Sequence, residues 1–151
     1  TFKLWDWGRL GMDGRPRPIS IEHGQNVIQW DRTPEWVDKN LINCFETIGH
    51  GKGWTEEKTG LHDLEFIETR RYWFESKIDL STDQTVNVLM IIEGDQAIVK
   101  SPTHAFQPFP VNYAEAFIVP AQVTDYTIEP VDMQEGKKMA VIKAFVKPTT
   151  K

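Results

Sequence analysis

The chain is poor in cysteine, in positive charge and in long apolar runs. Its single cysteine, Cys44, excludes an internal disulfide framework and is compatible with a reducing, cytoplasmic compartment. No apolar run approaches the roughly 18 residues that a membrane-spanning helix needs. Lys and Arg number 17 against 22 Asp and Glu, and a net charge of −5 argues against general nucleic-acid binding. We therefore expect a cytoplasmic protein whose partners are neither nucleic acids nor membranes.

Histidine is also scarce, and its spacing does not suit a metal site. Such a site requires three or four nitrogen or oxygen ligands that converge on one ion. No His-x-His pair occurs, and the four histidines are far apart: His23, His50, His62 and His104. The tightest cluster is His62, Asp63 and Glu65, but on an alternating strand Asp63 and Glu65 share a face that His62 does not. We expect this chain to bind no metal and no other cofactor by itself.

What the chain does contain is enough apolar sequence for a core, and many tryptophans. A chain of 151 residues can bury about two thirds of its unfolded surface in one compact domain. Six tryptophans indicate either aromatic packing or a carbohydrate-facing surface. Two of them, Trp5 and Trp7, stand in the opening run TFKLWDWGR. Either they pack in the core or on an edge strand, or the run belongs to a half-molecule whose other half precedes Thr1.

Residues 1–60 are expected to form an irregular segment that packs on a barrel. The pattern predicts a short strand at 2–7, a turn at 11–14, and a helix that Ser20 caps and that runs to Trp30. Thr33 as N-cap and Pro34 at the first helical position predict a second short helix. The glycine-rich stretch 49–53 lacks the spacing of a phosphate-binding loop, so we interpret it as a flexible connection.

Residues 61–151 are expected to form a mainly β, jelly-roll domain. The run 86–92 is too apolar for an exposed edge and predicts a central strand, and 93–96 predicts a tight hairpin turn. Short strands at regular spacing are typical of a sandwich or a barrel. The predicted strands are 64–68, 72–79, 85–93, 96–100, 114–119, 125–130 and 138–147.

Several runs carry a resemblance to a known family. GDQAIV at 94–99 and YAEAFIVPA at 113–121 resemble the second half of a cupin double-stranded β-helix. VTDYTIE at 123–129, TFKLWDWGR at 1–9 and GRPRPISIE at 14–22 are similar to the C-terminal cupin lobe of type I mannose-6-phosphate isomerases. The opening run is the more specific of these signals, and the resemblance spans essentially the whole chain.

The resemblance implies a role in carbohydrate metabolism, and it implies that the metal ligands and this chain belong to different lobes. Those isomerases interconvert an aldose and a ketose 6-phosphate with a bound divalent metal, usually zinc. Their ligands, a Gln, a Glu and two His, come from the lobe that precedes the motif at 1–9, so zinc is expected only in an upstream lobe. The family's motif arginine falls on Lys3, the one catalytic candidate here. A lysine keeps the charge but loses the planar, bidentate fork of arginine.

Other charged residues are candidates for a substrate or an interface. Asp6 and Arg9 belong to the opening motif, and Arg15 and Arg17 follow it, so these four residues could meet a sugar phosphate or a lobe interface. Three further pairs have two readings. Arg70 with Arg71 forms an anion site or a salt-bridged surface, while Glu56 with Glu57 and Glu65 with Glu68 form acid–base pairs or solvated faces.

Two functions from different classes follow from these observations. In the first, the chain is the C-terminal domain of a mannose-6-phosphate isomerase, inactive without its upstream metal-binding lobe. In the second, it is a metal-free cupin-like module that binds a carbohydrate or a protein partner, and its aromatic termini are compatible with homo-oligomers. The isolated chain lacks an electrophile that would polarise a sugar carbonyl, so we expect no activity from it alone.

Overall fold

The computed structural model describes residues 4–60 and 64–147 and divides the chain into two compact units. The first unit is Thr1–Ile42 and the second is Asn43–Lys151. The mainly β class, with two short helices in the N-terminal third, is confirmed. In the described ranges, no helix combines the length and the hydropathy that crossing a membrane requires.

The first unit contains helices α1 (Ile21–Val27) and α2 (Pro34–Asn40). Helix α2 begins as predicted: the Thr33 side chain accepts a hydrogen bond from the Trp36 amide at 3.3 Å, and Pro34 occupies the first turn. Helix α1 ends at Val27 because Ile28 is extended, with φ −71° and ψ 128°, so the expected continuation to Trp30 is wrong. The predicted turn at 11–14 is confirmed by the bond from the Gly14 amide to the Gly11 carbonyl.

The opening run is not a strand where the structure describes it. From Leu4 onward the chain turns, because Trp7 has φ 51° and the Arg9 amide bonds back to the Asp6 carbonyl. Trp5 and Trp7 are exposed and contact each other in a tilted arrangement, with ring centroids 4.7 Å apart and ring planes at 38°. Among residues 4–42, Gly24 alone is buried. This unit therefore forms no apolar core from its own described residues.

The second unit is a sandwich of two antiparallel sheets. The larger has the order β1-β2-β3-β10-β5-β8 and the smaller has the order β4-β9-β6-β7. A short 3-10 turn, Ala121–Val123, follows β8. The strands are β1 (Glu46–Gly51), β2 (Trp54–Lys58), β3 (Ile67–Phe74), β4 (Ile78–Ser81), β5 (Asn87–Glu93), β6 (Gln96–Lys100), β7 (Phe109–Asn112), β8 (Ala116–Val119), β9 (Asp125–Pro130) and β10 (Met139–Val146).

The observed strands differ from the prediction in three regions of the chain. The stretch 49–53 is not a flexible connection, because it supplies the end of β1 and the turn into β2, which pairs with β3. The predicted strands 64–68 and 72–79 are replaced by β3 and β4, since the chain turns between Phe74 and Ile78 and exposes Ser76. Strand β7 was not predicted, because Pro110 interrupts its pattern.

The turn at 93–96 joins the sheets instead of closing a hairpin within one of them. Strand β5 lies in the larger sheet between β10 and β8, as its apolar sequence predicts, whereas β6 lies in the smaller sheet. Gly94 makes this corner with φ +92°. The apolar inner faces of both sheets then meet in one core, which includes Phe74, Leu89, Val99 and Tyr126.

Candidate functional site

The inner face of the larger sheet changes from apolar to polar along its strands. On β3, Phe74, Tyr72 and Arg70 occupy every second position and so share the inner face. Their side chains become more polar in that order. The register places Glu56 of β2 opposite Tyr72, and Lys143 of β10 opposite Arg70. The polar end of this face is therefore built from three neighbouring strands.

A cavity of about 370 Å³ lies over these residues, between the two sheets. Strands β2, β3 and β10 form one wall, and β4 with Lys77 before it and Asp83 after it forms the other. The side chains that matter for its chemistry are Trp54, Glu56, Arg70, Tyr72, Asp83 and Lys143. Its volume falls in the range of roughly 300–1,000 Å³ that is usual for small-molecule sites.

Glu56 organises one side of the cavity. Its Oε1 accepts hydrogen bonds from the Tyr72 hydroxyl at 2.6 Å and from Arg70 Nη1 at 2.7 Å. The Nε of Arg70 donates to Glu68 at 2.6 Å. Burial and the Glu56 carboxylate raise the pKa of Tyr72, so its hydroxyl stays protonated. Burial opposes the charge on Arg70, but the bonds to Glu56 and Glu68 outweigh it and raise the pKa of the guanidinium.

Lys143 supplies the other cation of the cavity. Only 2% of its surface is exposed, and its Nζ donates to the Ser81 carbonyl at 2.7 Å. The same Nζ lies 3.7 Å from Asp83 Oδ2 and 5.0 Å from the Phe145 ring centroid. Burial lowers the pKa of Lys143, and the Asp83 carboxylate opposes that shift. The amine is thus held against the smaller sheet by a backbone carbonyl.

Trp54 forms an aromatic wall because β1 has glycines beside it. A Cβ atom at Gly51 would lie 2.8 Å from Cε2 of the Trp54 ring, and one at Gly49 would lie 3.0 Å from Glu56 Oε2. Only glycine leaves room for these two side chains in their observed positions. The glycine-rich stretch thus provides space for the cavity wall.

Of the predicted site residues, Asp6, Arg9, Arg15 and Arg17 belong to the first unit, whereas the residues that line this cavity belong to the second. Lys3 lies outside the described residues, so its catalytic role stays a prediction. In the first unit, Arg17 Nη1 donates to Asp6 Oδ2 at 3.2 Å, which brings two candidates together. Arg9 and Arg15 are exposed, and they contribute backbone hydrogen bonds to the same segment. A role in substrate or interface contact stays a prediction for all four.

The adjacent charged pairs separate onto opposite faces of the sheet. Arg70 points inward, whereas Arg71 points outward and donates to Glu57 at 2.6 Å. Both arginines are salt-bridged, but Arg70 also lines the cavity. The solvated-face reading of Glu56 and Glu57 is wrong, because their side chains are only 17% and 12% exposed. They do not act as a carboxylate pair.

Among the cavity residues, Glu56 and Arg70 were candidates from the sequence only as members of adjacent pairs, whereas Tyr72, Asp83 and Lys143 were missed. In β10 the inward positions are Met139, Val141, Lys143 and Phe145, so a lysine interrupts an apolar alternation. A charged residue at an inward position indicates a paired or functional group, because an unpaired buried charge is strongly unfavourable. Glu56 was paired with its neighbour Glu57, because β2 was not predicted and the two opposite faces of that strand could not be assigned.

The described residues do not fit a metal. In 4–60 and 64–147, no group of three or more His, Cys, Asp or Glu could hold an ion. The resemblance to cupins implies a ligand histidine after Pro120, and there the chain has Thr124, Asp125 and Tyr126. The Tyr126 hydroxyl donates to Asn87 Oδ1 at 3.0 Å and Asp125 is exposed, so these side chains do not converge on one point.

Two buried tyrosines predict a loss of stability at alkaline pH. Burial raises the pKa of Tyr72 and Tyr126 above the ordinary value near 10. Above that pH the unfolded chain loses protons that the folded chain keeps, so the free energy of unfolding falls by about 1.4 kcal/mol per pH unit for each tyrosine. Lys143 acts oppositely, but only up to its ordinary pKa of 10.5.

Urea unfolding at several pH values above about 10.5 measures this slope. In the Tyr126→Phe variant only Tyr72 still contributes to the pH dependence. The fall in unfolding free energy per pH unit that the two tyrosines cause is therefore expected to be about halved. A slope that is unchanged in this variant would contradict the assignment.

Comparisons with known proteins confirm the resemblance. No protein-family model matches the chain. A putative mannose-6-phosphate isomerase, YvyI of Bacillus subtilis strain 168, is 20% identical over 134 residues, covering 85% of this chain and 37% of that protein. The crystal structure of the mannose 6-phosphate isomerase from Bacillus subtilis superposes with a TM-score of 0.58 and 19% identity, covering 92% of this chain and 38% of that one. The chain thus spans well under half the length of these relatives.

Other solved structures confirm the cupin fold. An RmlC-like cupin from Shewanella frigidimarina superposes with a TM-score of 0.52 and 15% identity, covering 72% of this chain and 89% of that one. A cupin-2 domain from Rhodospirillum rubrum has a TM-score of 0.52 and 9% identity, with 71% of each chain covered. At these identities the likeness concerns the fold, so function has to be argued from the site.

Proposed function

We propose that this chain is a cupin-like, sugar-binding domain of a mannose-6-phosphate isomerase-like protein, and that it does not isomerise sugar by itself. The observation that carries the proposal is the cavity between the sheets, where Trp54 stands beside the Glu56–Arg70–Tyr72 cluster and Lys143. The sequence resemblance supports a sugar as the ligand class.

The cavity combines the two contacts that a sugar ring needs. The Trp54 side chain is half-buried against the core and offers an apolar surface to the C–H face of a ring. The carboxylates of Glu56 and Asp83 can accept hydrogen bonds from hydroxyl groups, and Arg70 can donate to them. An apolar wall with a few fixed polar groups is the usual composition of a small-molecule site.

Binding without isomerisation follows from how the ionisable groups are paired. Moving a proton between C1 and C2 requires a general base that is within reach of the substrate. Each carboxylate that the structure places along the cavity already faces a cation: Glu56 faces Arg70, Asp79 faces Lys77, and Asp83 faces Lys143. In the family that this chain resembles, zinc in an upstream lobe would polarise the sugar carbonyl.

Calorimetric titration of the chain with D-mannose tests the proposal. Binding is expected for the native chain, and the Trp54→Ala variant should weaken it by about tenfold because the aromatic wall is lost. Trp73→Ala is the matched control: Trp73 lies on the outer face of β3 and its Nε1 donates to Glu57, so mannose affinity should stay the same.

Two results would contradict the proposal. One is equal loss of affinity in Trp54→Ala and Trp73→Ala, with circular dichroism showing both folded. The other is isomerisation of mannose 6-phosphate by the chain alone in a coupled assay, because this would require a base that the cavity does not offer.

A further inference from the structure

We propose that the cavity selects an unphosphorylated sugar or polyol over the corresponding sugar phosphate. This inference rests on the proposed sugar-binding function and specifies the ligand class of the same cavity. It differs from what the family resemblance implies, since the relatives are named for a phosphorylated sugar. The inference is based on the charged residues around the cavity.

The charged residues that line the cavity balance each other. The cations are Arg70, Lys77 and Lys143, and the carboxylates are Glu56, Asp79 and Asp83, three of each. The Glu68 carboxylate, which accepts from Arg70 Nε at 2.6 Å, adds a fourth negative charge close by. The lining is therefore neutral, and its immediate surroundings are slightly negative.

Each of these cations already forms an ion pair with a carboxylate. Arg70 is shared between Glu56 and Glu68, so both edges of its guanidinium point at carboxylates. Lys143 Nζ donates to the Ser81 carbonyl at 2.7 Å and lies 3.7 Å from Asp83. Lys77 Nζ lies 2.9 Å from Asp79 Oδ1. A phosphate would have to compete with these carboxylates for every cation.

A sugar phosphate brings a charge of about −1.5 to −2 at neutral pH. Phosphate sites usually provide an arginine fork, successive backbone amides or a helix N-terminus directed at the anion. The described residues around this cavity lie on strands β2, β3, β4 and β10 or close beside β4, at Lys77 and Asp83, and none belongs to a helix. Three carboxylates would repel the anion at close range.

A neutral hydroxylated ligand avoids this repulsion. Hydroxyl groups both donate and accept, so they can bridge a carboxylate and a neighbouring cation without separating the pair. Glu56 Oε1 already receives two hydrogen bonds, and its Oε2 lies beside the Gly49 backbone at the cavity wall. The fixed acceptors and the Trp54 ring together fit a polyol.

Parallel titrations with D-mannose, mannose 6-phosphate and inorganic phosphate test the inference. We expect mannose 6-phosphate to bind about tenfold or more weakly than mannose at low ionic strength. Inorganic phosphate should not displace bound mannose. Asp83→Asn removes one carboxylate from a half-exposed side chain, so it should fold, and it is expected to strengthen mannose 6-phosphate binding about three- to tenfold.

Glu56→Gln provides a second variant and Glu57→Gln its matched control. Both glutamates lie on β2 and bind an arginine, but Glu57 does so on the outer face. Glu56→Gln should shift the preference toward the phosphate, whereas Glu57→Gln should leave both affinities within about twofold, because its charge lies outside the cavity.

The outcomes separate the two proposals. If none of the sugars binds, the sugar-binding function fails, and the inference fails with it. If mannose 6-phosphate binds as tightly as mannose or more tightly, sugar binding stands and selection of a neutral ligand is overturned. If Asp83→Asn and Glu56→Gln leave the ratio of the two affinities unchanged, the charge-based explanation is overturned.

Discussion

Replacing Tyr126 by alanine is expected to lower the free energy of unfolding by about 3–5 kcal/mol. Tyr126 is fully buried in β9 of the smaller sheet, and its hydroxyl donates to Asn87 Oδ1 of β5 in the larger sheet. The substitution removes a large aromatic ring from the core and also breaks a hydrogen bond between the sheets. Urea unfolding followed by circular dichroism measures the change.

Two further variants make this result interpretable. Tyr126→Phe keeps the ring and loses only the hydroxyl, so the expected loss is about 1 kcal/mol. Tyr113→Ala changes a tyrosine that is 61% exposed, and the free energy of unfolding should change by less than about 0.5 kcal/mol. Equal losses for Tyr126→Ala and Tyr113→Ala would show that the sandwich core is not where the structure places it.

The second large effect is expected at the corner between the sheets. Gly94 has φ +92°, and a Cβ atom there would lie 2.8 Å from Cε and 3.3 Å from Cγ of the buried Met139. Gly94→Ala therefore combines backbone strain with displacement of a core side chain. We expect the free energy of unfolding to fall by about 2–4 kcal/mol, measured by the same urea titration.

Gly136→Ala is the matched control, because it places a side chain at a positive φ without a clash. Gly136 has φ +79°, but a Cβ atom there meets no atom within 4 Å. It should lose only about 1 kcal/mol, since it carries the conformational cost without the steric one. If the two variants lose the same amount, the close approach of Gly94 to Met139 contributes nothing to stability.

The core residue Tyr126 is connected to the cavity through hydrogen bonds. Asn87, the partner of Tyr126, also donates through Nδ2 to the Thr82 carbonyl at 3.3 Å, next to the cavity residues Ser81 and Asp83. The hydrogen bonds that join the sheets thus fix the segment that includes Ser81, whose carbonyl accepts from Lys143. Changes in the core are therefore expected to reach the cavity through this contact.

The elements that could be predicted are those whose signals are local. Thr33 and Pro34 mark the start of α2, because a cap and a first-turn proline act within one turn of helix. The run 86–92 marks a central strand, because so apolar a run does not suit the exposed edge of a sheet, and β5 does lie between β10 and β8. The family resemblance was likewise readable from contiguous runs, and the comparisons confirm it.

The missed elements depend on partners far away in the sequence. Strands β1 and β2 fell within the predicted irregular segment, with a flexible connection at 49–53, because Glu56 and Glu57 gain their partners only when β2 pairs with β3. The corner at Gly94 read as a hairpin, because the local turn is the same whether the next strand stays in the sheet or leaves it. Only the sheet order distinguishes these cases.

The sequence by itself determined a mainly β, cupin-like chain with a resemblance to mannose-6-phosphate isomerase, because alternation, turns and motifs are properties of neighbouring residues. The tertiary structure alone decided which charged side chains come together in the cavity. The order β2-β3-β10 brings Glu56, Arg70 and Lys143 onto one inner face, although they are separated by up to 87 positions, from 56 to 143. Charges so distant in sequence can balance only after the strands pair, so the neutral cavity becomes visible only in the folded sheet.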